Sequence, residues 1–385
     1  MAIFSDLYKV KIMSLCFIFW MITEFVFPHT VASQLSLLLF CGASVYDIIM
    51  KKQIKISRIC ILYLLFLCVC LFNIILGYSI NINESVGMMY TLALNFIFII
   101  CLYHYLKNIE YDQILKVMIF SSFVISIVSW IINIYLSGSI MFREVGGINV
   151  NGTAILNAFL VAFIIISQKF KQYGIEVIFF IFFCAMSGTR KALLVLILIL
   201  LIYNCFRFPK KIPKYLIEVC IISGVVYFLL MNVPILYNSI GIRVESLLLY
   251  LNGDVGDASI VSRHNFIELG MLYFSNSMIW GNGINCFHTI DGAYGTYSHN
   301  NYVELLFSVG ILGTLTYYSM YLYSLKNSIS SYYKYKNDGA IIGFSIIVCC
   351  LITDYAQVVY YDRSTFLFII YALIVSNRIS LRKEN

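Results

Sequence analysis

The chain has 385 residues, 61% of them hydrophobic and only 12% charged, and its mean hydropathy is +0.88. A water-soluble core has no use for so much apolar surface, so the composition excludes an ordinary soluble domain and predicts an integral membrane protein. The net charge of +7 does not point to nucleic acid, because most of the Lys and Arg fall in short loops on one side of the predicted bundle.

The predicted fold class is all-α. The chain reads as a single polytopic domain over 1–385, with about twelve transmembrane helices and one long external loop between the ninth and tenth. Segments of about 20 apolar residues are long enough to cross the hydrocarbon. They fall near 12–29, 31–50, 59–79, 86–106, 114–137, 151–168, 174–188, 190–206, 215–233, 301–325, 339–358 and 364–378, the seventh and eighth being short. Phe27-Pro28-His29 and Leu136-Ser137-Gly138 are turn signals on one side. The twelve cysteines lie nearly all inside apolar runs, such as Cys68, Cys70, Cys349 and Cys350. They lack zinc or disulfide spacing and read as small packing residues. No cleavable signal is expected, since the first apolar run has no small-residue cleavage site and more spans follow.

Orientation follows from the short loops. Twenty of the 26 basic residues fall on one side, from Lys9, Lys51, Lys52 and Arg58 to Lys334, Lys336, Arg378 and Lys383. That side is predicted to be cytoplasmic and to hold both termini. The six exceptions are Arg143, Arg190, Lys191, Arg243, Arg263 and Arg363, and five of these are arginine. A lysine used for topology needs only a point charge, whereas a guanidinium offers a planar fork that grips phosphate oxygens. Arginines placed against the positive-inside bias therefore suggest an anionic ligand, the alternative being snorkelling or pairing with Glu144, Glu245, Glu268 and Asp362.

The one long external segment spans about 234–300. The stretches 242–249 and 259–269 read as amphipathic helices on the membrane surface, with a turn at Asn252-Gly253-Asp254 between them. A loop of this length usually has a function, and it is read as a lid over an active site.

The polar run Ser298-His299-Asn300-Asn301-Tyr302-Val303-Glu304 leads straight into apolar helix and then Gly310-Ile311-Leu312-Gly313. Upstream, Gly281-Asn282-Gly283-Ile284-Asn285 is a turn that lets backbone approach something closely. His-Asn-x-Tyr-x-Glu followed by Gly-Ile-x-Gly resembles the signature of the O-antigen polymerase and ligase superfamily. Ser187-Gly188-Thr189-Arg190-Lys191-Ala192-Leu193-Leu194 is similar to a second stretch of that family, and Arg263 before the glycine turn follows its order. The resemblance covers roughly 140–320; the first five spans match only as generic membrane helices.

The resemblance implies glycosyl transfer on the outer face of the cytoplasmic membrane. An acceptor sugar hydroxyl would attack the anomeric carbon of a polyprenyl-diphosphate-linked glycan, which would serve as both donor and acceptor. The leaving diphosphate needs prepositioned cations, and the hydroxyl needs a base. Arg190 and Arg263 are the candidates for the diphosphate, and His299 for the base or orienting group, because imidazole titrates near neutrality. Arg143, Arg363, Lys191, Asn300, Glu304, His264 and Tyr302 are the candidates for substrate binding. The amides that open the tenth span would add anion affinity.

Each has a plainer reading. His299 is also an ordinary interfacial residue at a helix start. Asn301 with Glu304 has capping-box spacing. His264 and His288 are solvated or touch sugar. Glu24 and Asp354, acids inside apolar spans, are functional candidates or partners of an arginine. Tyr294, Tyr297 and Tyr302 around the histidine suit both sugar stacking and the membrane interface.

No metal site is legible; Asp254 and Asp257 form the only close pair of external acids and read as a surface turn. The resemblance implies neither metal nor cofactor. Among functions, a polymerase of lipid-linked repeats into O-antigen, capsule or exopolysaccharide comes first, with a chain-length regulator as a candidate protein partner. A ligase comes second. A flippase ranks lower, because the loop breaks the half-to-half symmetry expected of a transporter.

Overall fold

A computed structural model describes residues 12–28, 30–54, 56–138, 150–252 and 258–378. Within them the chain is helical, with no strand. The helices are α1 (Ile12–Val26), α2 (Val31–Lys51), α3 (Arg58–Ile75), α4 (Ile82–Asn108), α5 (Tyr111–Ser137), α6 (Val150–Ile166) and α7 (Phe170–Met186). They continue as α8 (Arg190–Arg207), α9 (Ile212–Asn232), α10 (Ile242–Leu251), α11 (Ala258–Asn276), α12 (Asn301–Tyr335), α13 (Asp338–Asp354) and α14 (Arg363–Ser376).

Each predicted span overlaps a helix, α1 to α9 and α12 to α14. Among the described residues six helical stretches are long and apolar enough to cross a membrane: α2, α3, α4, α5, Pro209–Asn232 and α12. α1, α6 and α14 are shorter apolar helices. The protein is thus an all-helical membrane protein. The two amphipathic stretches of the long loop appear as α10 and α11, the second running further than its pattern suggested; Gly253 and Asp254 of the turn between them lie outside the described residues.

Helix ends follow local chemistry. Thr30, Ser57, Asn81, Asn300 and Asn337 cap α2, α3, α4, α12 and α13 by accepting from backbone amides of the first turn. Gly138 ends α5 in the left-handed region at φ 64°.

Burial separates centre from periphery. In α6 the run Leu156 to Ile164 is closed to solvent on every face, as expected of a helix surrounded by others. α9 buries only Leu230 and lies at the outside. An aromatic knot of Phe17, Trp20, Phe40, Phe98 and Tyr105 joins α1, α2 and α4.

Ion pairs and capping contacts gather the predicted basic loops at one end. Lys169 pairs with Asp112 at 2.7 Å and Arg207 with Asp338 at 3.7 Å. Arg378 Nη2 donates to the carbonyls of Leu106 and Ile109 at 2.7 and 2.5 Å. The loop 258–300 and the turn 355–362 lie at the opposite end, where α6, α8, α12 and α14 begin.

Candidate functional site

The site is organised by a break in α12. Gly310 interrupts the helix at φ 62°, ψ −164°, a region that only glycine enters readily. The segment 278–283 fills the break: Asn282 N donates to Phe307 O (2.7 Å), Gly283 N to Ser308 O (2.9 Å) and Ile311 N to Met278 O (2.8 Å). These bonds satisfy backbone groups that a broken helix would otherwise leave orphaned. A Cβ on Gly281 would lie 2.5 Å from Gly310 N, and one on Gly310 would overlap Ile279 O. What the glycine turn approaches closely is therefore the other glycine motif, and the expected continuous tenth span is a discontinuous helix with its loop threaded in.

α3, α4 and the loop between them, generic by sequence, hold the other side of this turn. Asn73 Nδ2 donates to Trp280 O (2.6 Å), Ile80 N to Asn282 O (2.8 Å) and Ser85 Oγ to Ile284 O (2.9 Å). Above it, Phe266, Cys286, Phe287, Ile290, Ala293 and Phe307 form a small apolar core separate from the main one. That core fixes α11 against α12.

His299 stands where these pieces meet. Its backbone is left-handed, φ 56°, a conformation in which histidine is over-represented among non-glycine residues. Ser298 Oγ holds it by donating to Asn300 O at 2.9 Å and accepting from Asn300 N at 3.4 Å. The half-buried imidazole lies between the rings of Tyr297 and Phe266, with centroids 4.3 and 6.0 Å away. Arg263 is one helical turn before Phe266, hence on the same face of α11. Burial, together with the charges of Arg263 and Lys191, lowers the imidazole from 6.5 to about 4. This favours the uncharged imidazole at neutral pH, with the charges of both cations acting on it.

Lys191 reaches this place from α8. Gly188, φ 63°, and Thr189, whose hydroxyl donates to Asn151 Oδ1 at 2.8 Å, turn the chain into the helix. Lys191 Nζ then donates to Ala356 O (2.8 Å) and Gln357 Oε1 (3.1 Å) beyond α13. Arg190 stands half-exposed at the first position of α8. Of this adjacent pair, Lys191 supplies the charge that acts on His299.

Other predicted residues have different surroundings. Asn300 is the α12 cap, its Oδ1 accepting from Tyr302 N (3.0 Å) and Val303 N (3.2 Å). Those amides are consumed, which corrects the expectation that they face an anion. Glu304 accepts from Ser298 N at 2.9 Å rather than completing a box with Asn301. Tyr302 turns to Leu351 O (2.7 Å) and stacks on Tyr318, while Tyr294 is 90% exposed; of the three tyrosines, Tyr297 packs on the imidazole. His264 is exposed and pairs along α11 with Glu268 at 3.1 Å, and His288 faces Glu84 at 3.7 Å.

Arg363 is 5% exposed and pairs with Glu24 at 3.0 Å, not with its neighbour Asp362. Its Nε donates to Asn95 Oδ1 at 3.1 Å, and Ser33 Oγ donates to Glu24. Arg143 lies outside the described residues, as does the side chain of Arg243.

Asp354 does not partner an arginine. Its Oδ2 accepts from Asn301 Nδ2, Tyr318 OH and Tyr321 OH, each at 3.1 Å. Asn301 Oδ1 in turn accepts from Val359 N (3.0 Å) and Tyr360 N (3.1 Å). Asp354 was a candidate from the sequence; its partners Tyr318 and Tyr321, and with them Phe266 and Gln357, are what sequence reasoning missed. The signal for Phe266 was its three-residue spacing from Arg263.

No curated protein matches the chain. Residues 175–318 match the family model described as O-antigen ligase, a stretch running from α7 through α12 that holds Lys191, Arg263, His299 and both glycine motifs. Over that stretch the chain is similar to the O-antigen polymerase and ligase superfamily.

Proposed function

We propose that the protein is a metal-independent glycosyltransferase of a bacterial cytoplasmic membrane, polymerising polyprenyl-diphosphate-linked repeats on the outer face. Twelve crossings would put both termini in the cytoplasm and the loop 234–300 outside as a lid. The observation that carries the reading is the convergence of Lys191 and Arg263, from two separate motif segments, on an uncharged His299.

In this reading the acceptor hydroxyl attacks the anomeric carbon of the donor glycan. The new C–O bond forms as the bond to the diphosphate breaks, the diphosphate leaves with the electron pair, and His299 takes the hydroxyl proton. Lys191 and Arg263, with Arg190 beside them, receive the diphosphate charge. A bound diphosphate offsets the two cations that depress the imidazole, so His299 becomes a better base when donor is in place.

The family description favours a second reading, transfer of a finished glycan to a lipid or protein acceptor. The single long loop favours polymerisation. Deleting the gene separates the two: polymerase loss leaves single-repeat products, and ligase loss leaves full-length chains on the carrier lipid. Purified protein should elongate lipid-diphosphate oligosaccharide in the presence of EDTA, and failure of any glycan transfer there would overturn the enzymatic reading.

A further inference from the structure

A cavity of about 70 Å³ lies where α6 begins, α13 ends and α14 begins. It has room for about five water molecules. Its polar lining is Asn151, Thr353, Asp354, Gln357, Asp362 and Ser364, and Phe159 and Phe368 form an apolar wall with ring centroids 4.6 Å apart. Both functional motifs hold its rim. Thr189 bonds Asn151 and Lys191 bonds Gln357, while Asn301, two residues after His299, bonds Asp354.

Asp354 is 1% exposed, and all three of its donors converge on Oδ2. Its Oδ1 accepts no bond from the described residues, in a side chain that lines the cavity. A carboxylate oxygen open to the cavity in this way is free to accept from a ligand there. The carboxylates of Asp354 and Asp362 accept from vicinal hydroxyls, and an apolar wall suits the C–H face of a ring. A phosphate would meet two acids here and be repelled.

Resting on the glycan-transfer reading, we propose that this cavity is a carbohydrate subsite, taking the hydroxyl edge of one ring of the acceptor glycan and holding that glycan against His299. Sugar hydroxyls fill the cavity, and Lys191 becomes the boundary between diphosphate on the His299 side and neutral sugar on the Asp354 side.

The test uses full-length protein in membranes, and the probe is the free oligosaccharide released by mild acid from the cell's own lipid-linked repeat. A Ser364→Cys variant is labelled with a small maleimide and read by peptide mass spectrometry. The oligosaccharide should slow that labelling severalfold, and sucrose should not. Separately, Ser364→Leu should raise the KM for acceptor about tenfold, the scale of one or two lost hydrogen bonds, with donor affinity unchanged. Labelling blind to the oligosaccharide overturns the proposal, as does equal loss of donor and acceptor affinity. If Ser364→Leu does not accumulate, the labelling result decides. If the wild type transfers no glycan, the enzymatic reading falls by itself, and protection of Ser364→Cys still decides whether the cavity holds sugar.

Discussion

Two basic sites that the sequence reading places on the external side look alike there and differ in the structure. Arg363 is sealed among α1, α4 and α14 with Glu24 and Asn95, whereas Arg263 and Lys191 come from different segments to face a half-buried imidazole. Both break the positive-inside pattern. The first satisfies its charge with protein, and the second lends its charge to a group that can move a proton. Asp362, beside Arg363, is pushed up to about 7 by burial and by Glu24, against the pull of the arginine. A cation's side of the membrane is therefore no guide to its role until the nearest acid is known.

Removing the arginine from each site should give opposite phenotypes. Arg363→Ala leaves Glu24 charged and buried, a loss of about 3–5 kcal/mol for a broken buried pair. The variant should be scarce in membranes and melt early in detergent, and a double change to Glu24→Gln with Arg363→Met should recover much of the yield. If Arg363→Ala folds normally and loses only activity, the contrast is gone. His299→Ala, Arg263→Ala and Lys191→Ala should instead accumulate normally and lose about 10²–10⁴-fold in transfer, the range for a missing acid–base or charge-stabilising group. Chain length on gels, normalised to protein in the membrane, reads the difference.

A third variant tests what holds the second site together. Gly310→Ala forces a Cβ against the carbonyl of Ile279 in a backbone region closed to alanine, at a cost of about 2–4 kcal/mol. Segment 278–283 should leave the helix break, so protease should cut the loop faster and transfer should fall. An alanine at Gly224 of α9, where nothing lies within 4 Å, should change neither.

These outcomes bear on what was readable in advance. Lipid admits few backbone structures, so apolar length was enough to show where the helices fall. The break at Gly310 was not readable, since Gly-Ile-x-Gly in an apolar run looks like helix until the loop that fills it is known. Arg190 and Lys191 are adjacent in the first turn of α8, and helix geometry points neighbours about 100° apart. The motif drew attention to arginine, but the rotation of α8 in the bundle brings the charge of Lys191 onto His299. An acid inside an apolar span marked Glu24 as a partner for an arginine, but that the arginine is Arg363, from the last described helix, left no local trace.

The subtlest prediction concerns the proton. The neutral form of His299 is the one that accepts, and burial with two nearby cations keeps it neutral down to about pH 4 in the free enzyme. Activity in kcat/KM should therefore persist through the weakly acidic range and fall as pH drops through that value, since this profile reports the free enzyme. Replacing Arg263 with glutamine removes one of the two depressing charges, so the imidazole should protonate at higher pH and the acid limb should move up. Diethylpyrocarbonate modification of His299, followed by mass spectrometry against pH, reads the same titration where residual transfer is too slow. An acid limb that does not move in Arg263→Gln would mean the guanidinium is not held near the imidazole. Arg263 would then resemble Arg363, a charge whose partners lie elsewhere, and Lys191 alone would remain to tune the base.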